Sequence, residues 1–156
     1  MKTIEHQNRK YTLLGDIQAS TFLMYLVDES NPEDYKLIYQ KLSDKNQFCM
    51  IVVAIHDWQG ELSPWAAPAI FGKHDFAGNA LLLSELERFW DWFQSDNQVE
   101  TDWLYLCGYS LAGLFALWSS CQTNLFKKVA AVSPSVWYKG FVDYLDQHLI
   151  HTMNLY

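Results

Sequence analysis

The stretch Leu104-Tyr105-Leu106-Cys107-Gly108-Tyr109-Ser110-Leu111-Ala112-Gly113-Leu114-Phe115-Ala116-Leu117-Trp118 decides the fold. It reads as an apolar strand, a very tight turn and a buried helix, with Ser110 at the apex. Gly108 lies two positions before the serine, Ala112 two after, and Gly113 follows. Larger side chains at those positions would collide, because the helix folds straight back over the strand. The turn therefore pushes the Ser110 hydroxyl out at the top of a sheet in a strained backbone conformation. This is the G-x-S-x-G nucleophile elbow with Ala in its last place, in the strand-and-helix context that the motif requires.

Working outward, other apolar runs supply more strands. Thr21 to Val27 and Phe48 to Ile55 are continuous rather than alternating, as strands covered on both faces are. Phe48 to Ile55 is the more β-branched and belongs in the middle of a parallel sheet. Between them, Asn31 can cap a helix with Pro32 at its first position, and Tyr35, Ile38, Tyr39 and Leu42 follow at helical spacing. Leu82, Leu86, Phe89, Trp90 and Phe93 mark the longest helix expected, from Ala80. After the elbow, Val129 to Val132 reads as another buried strand, and Phe141 to His151 as a helix. Met153 to Tyr156 reads as the start of a further strand. The first 20 residues are polar apart from Tyr11 to Leu14 and suggest an edge strand or a loose arm. Strands alternating with helices predict an α/β fold, a single domain over residues 1–156 with a mainly parallel sheet and right-handed crossovers.

Composition narrows the function classes. The chain has 156 residues, 50% hydrophobic and 16% aromatic, which is a core-forming composition. A net charge of −7 disfavours a nucleic-acid partner or an anionic membrane surface. No run approaches the ~20 apolar residues of a membrane span. Cys49, Cys107 and Cys121 are odd in number and have no paired spacing, and no secretory leader is readable in Met1 to Gln18. A cytoplasmic location is the expectation. No metal-ligand spacing and no phosphate-cradling loop is present, so neither a metal nor another cofactor is expected.

A serine hydroxyl needs a base, a group that orients the base, and donors for the oxyanion. Ser110 is the one serine that a motif places for attack. The backbone N–H of Leu111, at the start of the elbow helix, is one oxyanion donor. The loop after the central strand, beginning His56-Asp57-Trp58, should supply the second. That connection, His56 to Asn79, is long and rich in Gly, Pro and aromatic residues. Its place at the carboxyl end of a central strand suggests a pocket wall. Trp65, Phe71, Phe76 and Trp137 would line an apolar pocket for a small-molecule ester substrate.

The elbow, placed after such a loop, resembles the α/β-hydrolase superfamily. His56-Asp57-Trp58 resembles that superfamily's His-Gly-x oxyanion loop, with Asp57 where the usual Gly stands, and this implies Trp58 as the second donor. Ser133-Pro134-Ser135-Val136-Trp137 resembles the Ser-Pro-Ser-x-Trp segment of the feruloyl- and siderophore-esterase-like branch. The superfamily's chain order is Ser, then Asp or Glu, then His. The 156 residues stop where the acid's strand would begin. The resemblance therefore implies a fold truncated before the acid and the His, with an exposed sheet edge open to self-association. Asp143, Asp146, His148 and His151 follow Ser110 in the right order but crowd one short helix; His56 and His74 are the other histidines near the expected site. Three readings stay open: an ester hydrolase working through an acyl-enzyme on Ser110, a catalytically inactive hydrolase fragment, and a thioesterase or acyltransferase on the same scaffold.

Overall fold

The apolar runs form the middle of one twisted sheet. In a computed structural model of the chain, residues 1–30, 32, 35–70, 74–78 and 81–156 are described. Seven strands are present among them: β1 (Lys2–His6), β2 (Arg9–Leu14), β3 (Phe22–Asp28), β4 (Cys49–Ile55), β5 (Leu104–Tyr109), β6 (Lys128–Val132) and β7 (Asn154–Leu155). Their order across the sheet is β1-β2-β4-β3-β5-β6-β7. Strands β4, β3, β5, β6 and β7 run parallel, and β2 pairs antiparallel with β4. Five helices connect them: α1 (Tyr35–Ser43), α2 (Trp58–Leu62), α3 (Leu81–Asn97), α4 (Leu111–Gln122) and α5 (Phe141–Gln147). The expected cap at Asn31 and the helix start at Ala80 lie outside the described residues.

Crossover handedness distributes the helices. The step from β3 to β4 moves towards the β1 edge, and the step from β4 to β5 moves away from it. Right-handed connections then place α1 on one face and α3 and α4 on the other. Side chains follow that division. Tyr35, Ile38 and Tyr39 of α1 pack against Tyr25, Val27, Met50 and Val52. Met24, Leu26, Ile51 and Val53, one residue out of phase, join the larger core beneath α2 to α5. Helix α4 lies deepest: every residue from Leu111 to Cys121 is buried.

Three expectations need correction. The amino-terminal 20 residues are more than a single edge strand or a loose arm: they form a hairpin in which β1 is the edge strand and β2, with Tyr11 to Leu14, is interior, between β1 and β4. The turn uses Gln7 and Asn8, both at positive φ (49° and 66°), without the glycine that usually marks such a turn. The helix expected to reach His151 ends at Gln147, where His148 turns extended (φ −124°, ψ 140°). Strand β6 is only partly buried: Val129 is fully covered while Val132 is 48% exposed. The short α1 lies over β3 and β4, and among the described residues no helix covers β6 on that side.

Helix α3 holds the hairpin to the sheet through aromatic rings. Phe89 is fully buried and stacks on Tyr11 with centroids 3.6 Å apart. It also meets His6 edge-on at 5.8 Å and Phe93 at 5.7 Å. Truncating a buried ring costs the transfer energy plus a cavity, about 3–5 kcal/mol. Phe89→Ala should lose that much in urea unfolding, and a loss under about 1 kcal/mol would show that the hairpin does not depend on this stack.

Candidate active site

Ser110 lies between β5 and α4 with φ 58° and ψ −115°, a conformation that residues with a Cβ rarely adopt. The neighbours leave no alternative. A Cβ on Gly108 would come within 2.3 Å of the Ala112 carbonyl oxygen. One on Gly113 would come within 3.1 Å of both the Gly108 carbonyl oxygen and the Pro134 Cα. The turn is also tied sideways. The Ser110 N–H donates to the Val132 carbonyl (3.0 Å), and the Ser135 N–H donates to the Ser110 carbonyl (3.1 Å). The loop after β6 thus locks the elbow from a second strand.

Ser135 also reaches the hydroxyl. It is 3% exposed, and its Oγ lies 3.3 Å from Ser110 Oγ, with either hydroxyl able to donate. Among the described residues, this is the side-chain partner that the structure gives Ser110 Oγ. The sequence showed Ser135 as part of a motif but not this contact, because the two serines are 25 positions apart.

The second expected donor sits on the loop after β4. Trp58 is the first residue of α2, where a backbone N–H has no acceptor within the helix. Asp57, at the position where the resemblance has glycine, is the N-cap: its φ is −117°, and its Oδ1 accepts from the Gly60 N–H at 3.0 Å. An aspartate is thus accommodated in ordinary extended backbone. Helix α2 packs against α4, which brings the loop beside the elbow. The Leu111 N–H stands at the first turn of α4, where the helix leaves its donors free and its dipole is positive.

The same loop is fixed by charges. Glu61 Oε1 accepts from the His56 N–H (3.1 Å) and the Asp57 N–H (2.9 Å). Glu61 Oε2 pairs with Arg9 at 2.5 Å. Arg9 is 5% exposed, and it also binds Glu85 (2.8 Å) and the Ala54 carbonyl (2.7 Å). Burial works against the Arg9 charge, but Glu85 and Glu61 outweigh it and its pKa is raised. Sequence reading missed this cluster, because its members lie 52 and 76 residues from Arg9.

The His56 ring is engaged by Glu29 and by the hairpin turn. Its Nδ1 meets Glu29 Oε2 at 2.5 Å and its Nε2 meets the Asn8 carbonyl at 3.1 Å. Both partners are acceptors, so the arrangement suits a protonated ring with both nitrogens donating. The hydrogen bond to Glu29 raises its pKa above 6.5, against a smaller opposing effect of burial. His148 turns its Nδ1 back to the Tyr144 carbonyl at 2.7 Å and stacks on the Tyr144 ring. His151 donates its backbone N–H to the Ser120 carbonyl.

The aromatic pocket residues meet around Tyr138. Phe76 is 5% exposed and contacts Tyr138 (5.0 Å) and Trp137 (6.2 Å). Trp65 contacts Tyr138 from elsewhere (5.7 Å) and also Tyr144 (5.2 Å), and its indole N–H donates to the Lys139 carbonyl. Trp137 is 45% exposed. Phe71 lies outside the described residues.

Comparison with solved structures identifies the fold. The siderophore hydrolase EstA from Aspergillus nidulans superposes with a TM-score of 0.62 at 19% identity, over 94% of this chain and 60% of its own. An IroE-like serine hydrolase from Shewanella oneidensis gives 0.64 at 17%, over 94% and 54%. An acetyl xylan esterase from Aspergillus awamori gives 0.57 at 12%, over 85% and 51%. The chain has the α/β-hydrolase fold, in the form seen in esterase-like serine hydrolases, and it spans about half to three-fifths of the length of these three proteins. No family model matches the sequence, and no curated protein does.

Two measurements test this geometry. Strain at a positive-φ residue is worth of order 1–3 kcal/mol and glycine relieves it, so Ser110→Gly should be about 1 kcal/mol more stable than Ser110→Ala. Equal stabilities in urea would contradict the strained turn. For His56, a folded pKa above the unfolded value means that its stabilisation is complete below about pH 6.5 and is lost as pH rises through the raised folded value. Unfolding free energy should therefore fall more between pH 6 and 9 in the parent than in His56→Gln; parallel curves would contradict the cationic bridge.

Proposed function

We propose that this chain carries the nucleophilic half of a serine ester hydrolase, with Ser110 as the nucleophile. The supporting observation is the backbone of Ser110: φ 58°, held by Gly108 and Gly113 and tied to the loop after β6. A turn that needed only to reverse the chain would take glycine at the positive-φ position. Keeping a hydroxyl there at the cost of strain suits a group that must be presented to a substrate.

In this reading Ser110 Oγ attacks the ester carbonyl while its proton passes to a base. The carbonyl oxygen becomes an oxyanion held by the N–H groups of Leu111 and Trp58. Collapse expels the alcohol and leaves an acyl group on Ser110, which water then removes. Each such donor is worth roughly a hundred- to thousand-fold in rate. The acyl group would lie against Phe76 and Trp137. A thioesterase or acyltransferase would use the same steps with a thiol leaving group or an alcohol acceptor. The siderophore hydrolases and the acetyl xylan esterase that share the fold make an ester the leading substrate class.

One observation favours the second reading, a fragment without turnover of its own. The described side-chain partner of Ser110 is Ser135, and the rings of His56 and His148 are bonded elsewhere. A hydroxyl is a poor general base, and in that reading Ser110 is presented without turnover.

Hydrolysis of 4-nitrophenyl acetate by the 156-residue chain and by Ser110→Ala tests the proposal. A rate above background that disappears in the variant is expected of the hydrolase. Equal rates would overturn it for this chain and leave the fragment reading.

A further inference from the structure

We propose that the tip of the amino-terminal hairpin is the clamp that positions the oxyanion loop, with Arg9 and Glu61 as its positioning residues. Its catalytic consequence rests on the ester-hydrolase reading; its structural content does not.

The segment from Ala54, near the end of β4, to Glu61 in α2 contains Trp58, the expected second donor. Three contacts cross from the hairpin tip to it: the Asn8 carbonyl accepts from His56 Nε2, and the Arg9 guanidinium binds the Ala54 carbonyl and the Glu61 carboxylate. Glu61 then spreads the hold over its own loop by accepting the backbone N–H groups of His56 and Asp57. One carboxylate thus caps two amides with one oxygen and meets the buried cation with the other. Glu85 braces Arg9 from α3, through both Nε and an Nη.

This arrangement exceeds what stability alone requires. Burying a charged cluster is close to break-even against apolar packing, because desolvation offsets the Coulombic gain. What a fully bonded cluster adds is a fixed geometry. A planar guanidinium with donors pointing three ways fixes Glu61 relative to both β4 and α3, and lysine could not do the same. An oxyanion donor needs that fixity, because its N–H must stand about 2.7–3.1 Å from where the oxyanion forms. The clamp also accounts for the aspartate at position 57: with its N–H taken by Glu61 and its side chain capping Gly60, the turn needs no glycine.

The test separates bonding from packing. Glu61→Met keeps the bulk of the side chain and removes both acceptors. Glu61→Gln keeps an oxygen for the two N–H groups, while its amide NH2, a donor, loses the bond to Arg9 and leaves that cation to Ala54 and Glu85. Backbone amide exchange of the 156-residue chain, followed by NMR at His56 and Asp57, should accelerate about ten-fold or more in the Met variant and stay within about three-fold in the Gln variant. Arg9→Lys should also accelerate it, and it serves as a second probe should the Met variant fail to fold. Where Ser110-dependent ester turnover is present, kcat should fall about ten-fold in Glu61→Met with KM within about two-fold, and recover in Glu61→Gln. Exchange in Glu61→Met no faster than in the parent, or unchanged exchange in Arg9→Lys, would overturn the clamp. Accelerated exchange with unchanged kcat would overturn its positioning role. If the parent shows no Ser110-dependent turnover, the ester-hydrolase reading fails while amide exchange still decides the clamp.

Discussion

Ser110 occupies a backbone conformation that costs energy, and much of the surrounding structure keeps it there. Strand β5 delivers the chain to the turn, and α4 leaves so steeply that only Gly108 and Gly113 fit where the two cross. Burial of α4 along its length prevents the helix from tilting away to relax the turn. The loop after β6 closes the arrangement with two backbone hydrogen bonds and the Ser135 hydroxyl. Packing energy spread over the core is thereby concentrated on the orientation of one hydroxyl.

A second constraint converges on the same place from the far side of the sheet. The hairpin pairs with β4, the strand that carries the loop beside the elbow. Its aromatic residues fasten it to α3, and Arg9 at its tip meets the carboxylates of α2 and α3. The two halves of the candidate site are therefore built differently. Ser110 is held by close packing and strain, and the loop that carries Trp58 by hydrogen bonds and charge. The first should respond to volume changes in the core, and the second to loss of acceptors or to a change of pH near His56.

Much of this was legible in the sequence, for local reasons. The runs Thr21 to Val27 and Phe48 to Ile55 are too long and too uniformly apolar for anything but strands covered on both faces. The spacing of small residues around Ser110 fixed the elbow, since few other turns need them there. Less legible were features that depend on partners far along the chain. Nothing near Arg9 marks it as buried, because its partners are Ala54, Glu61 and Glu85. The Gln7-Asn8 turn carries no glycine, so the hairpin read as a single edge strand or an arm. The periodic residues Phe141, Tyr144, Leu145 and His148 ran past the true end of α5 at Gln147, because helical spacing does not register a chain that turns extended. The partners of Trp65 were not legible either: its indole N–H is bonded to the Lys139 carbonyl and its ring lies against α5, a placement that only tertiary contacts decide.

The central claim is that Ser110 is presented for attack on a carbonyl with Leu111 and Trp58 ready to receive the oxyanion. A crystal structure of the 156-residue chain after reaction with an alkyl fluorophosphonate tests it most directly, since the tetrahedral phosphorus adduct stands in for the intermediate. The account predicts a bond from Ser110 Oγ to phosphorus, with the phosphoryl oxygen about 2.7–3.1 Å from the N–H groups of both Leu111 and Trp58. An adduct on another residue, no adduct at all, or a phosphoryl oxygen directed away from those two amides would contradict it.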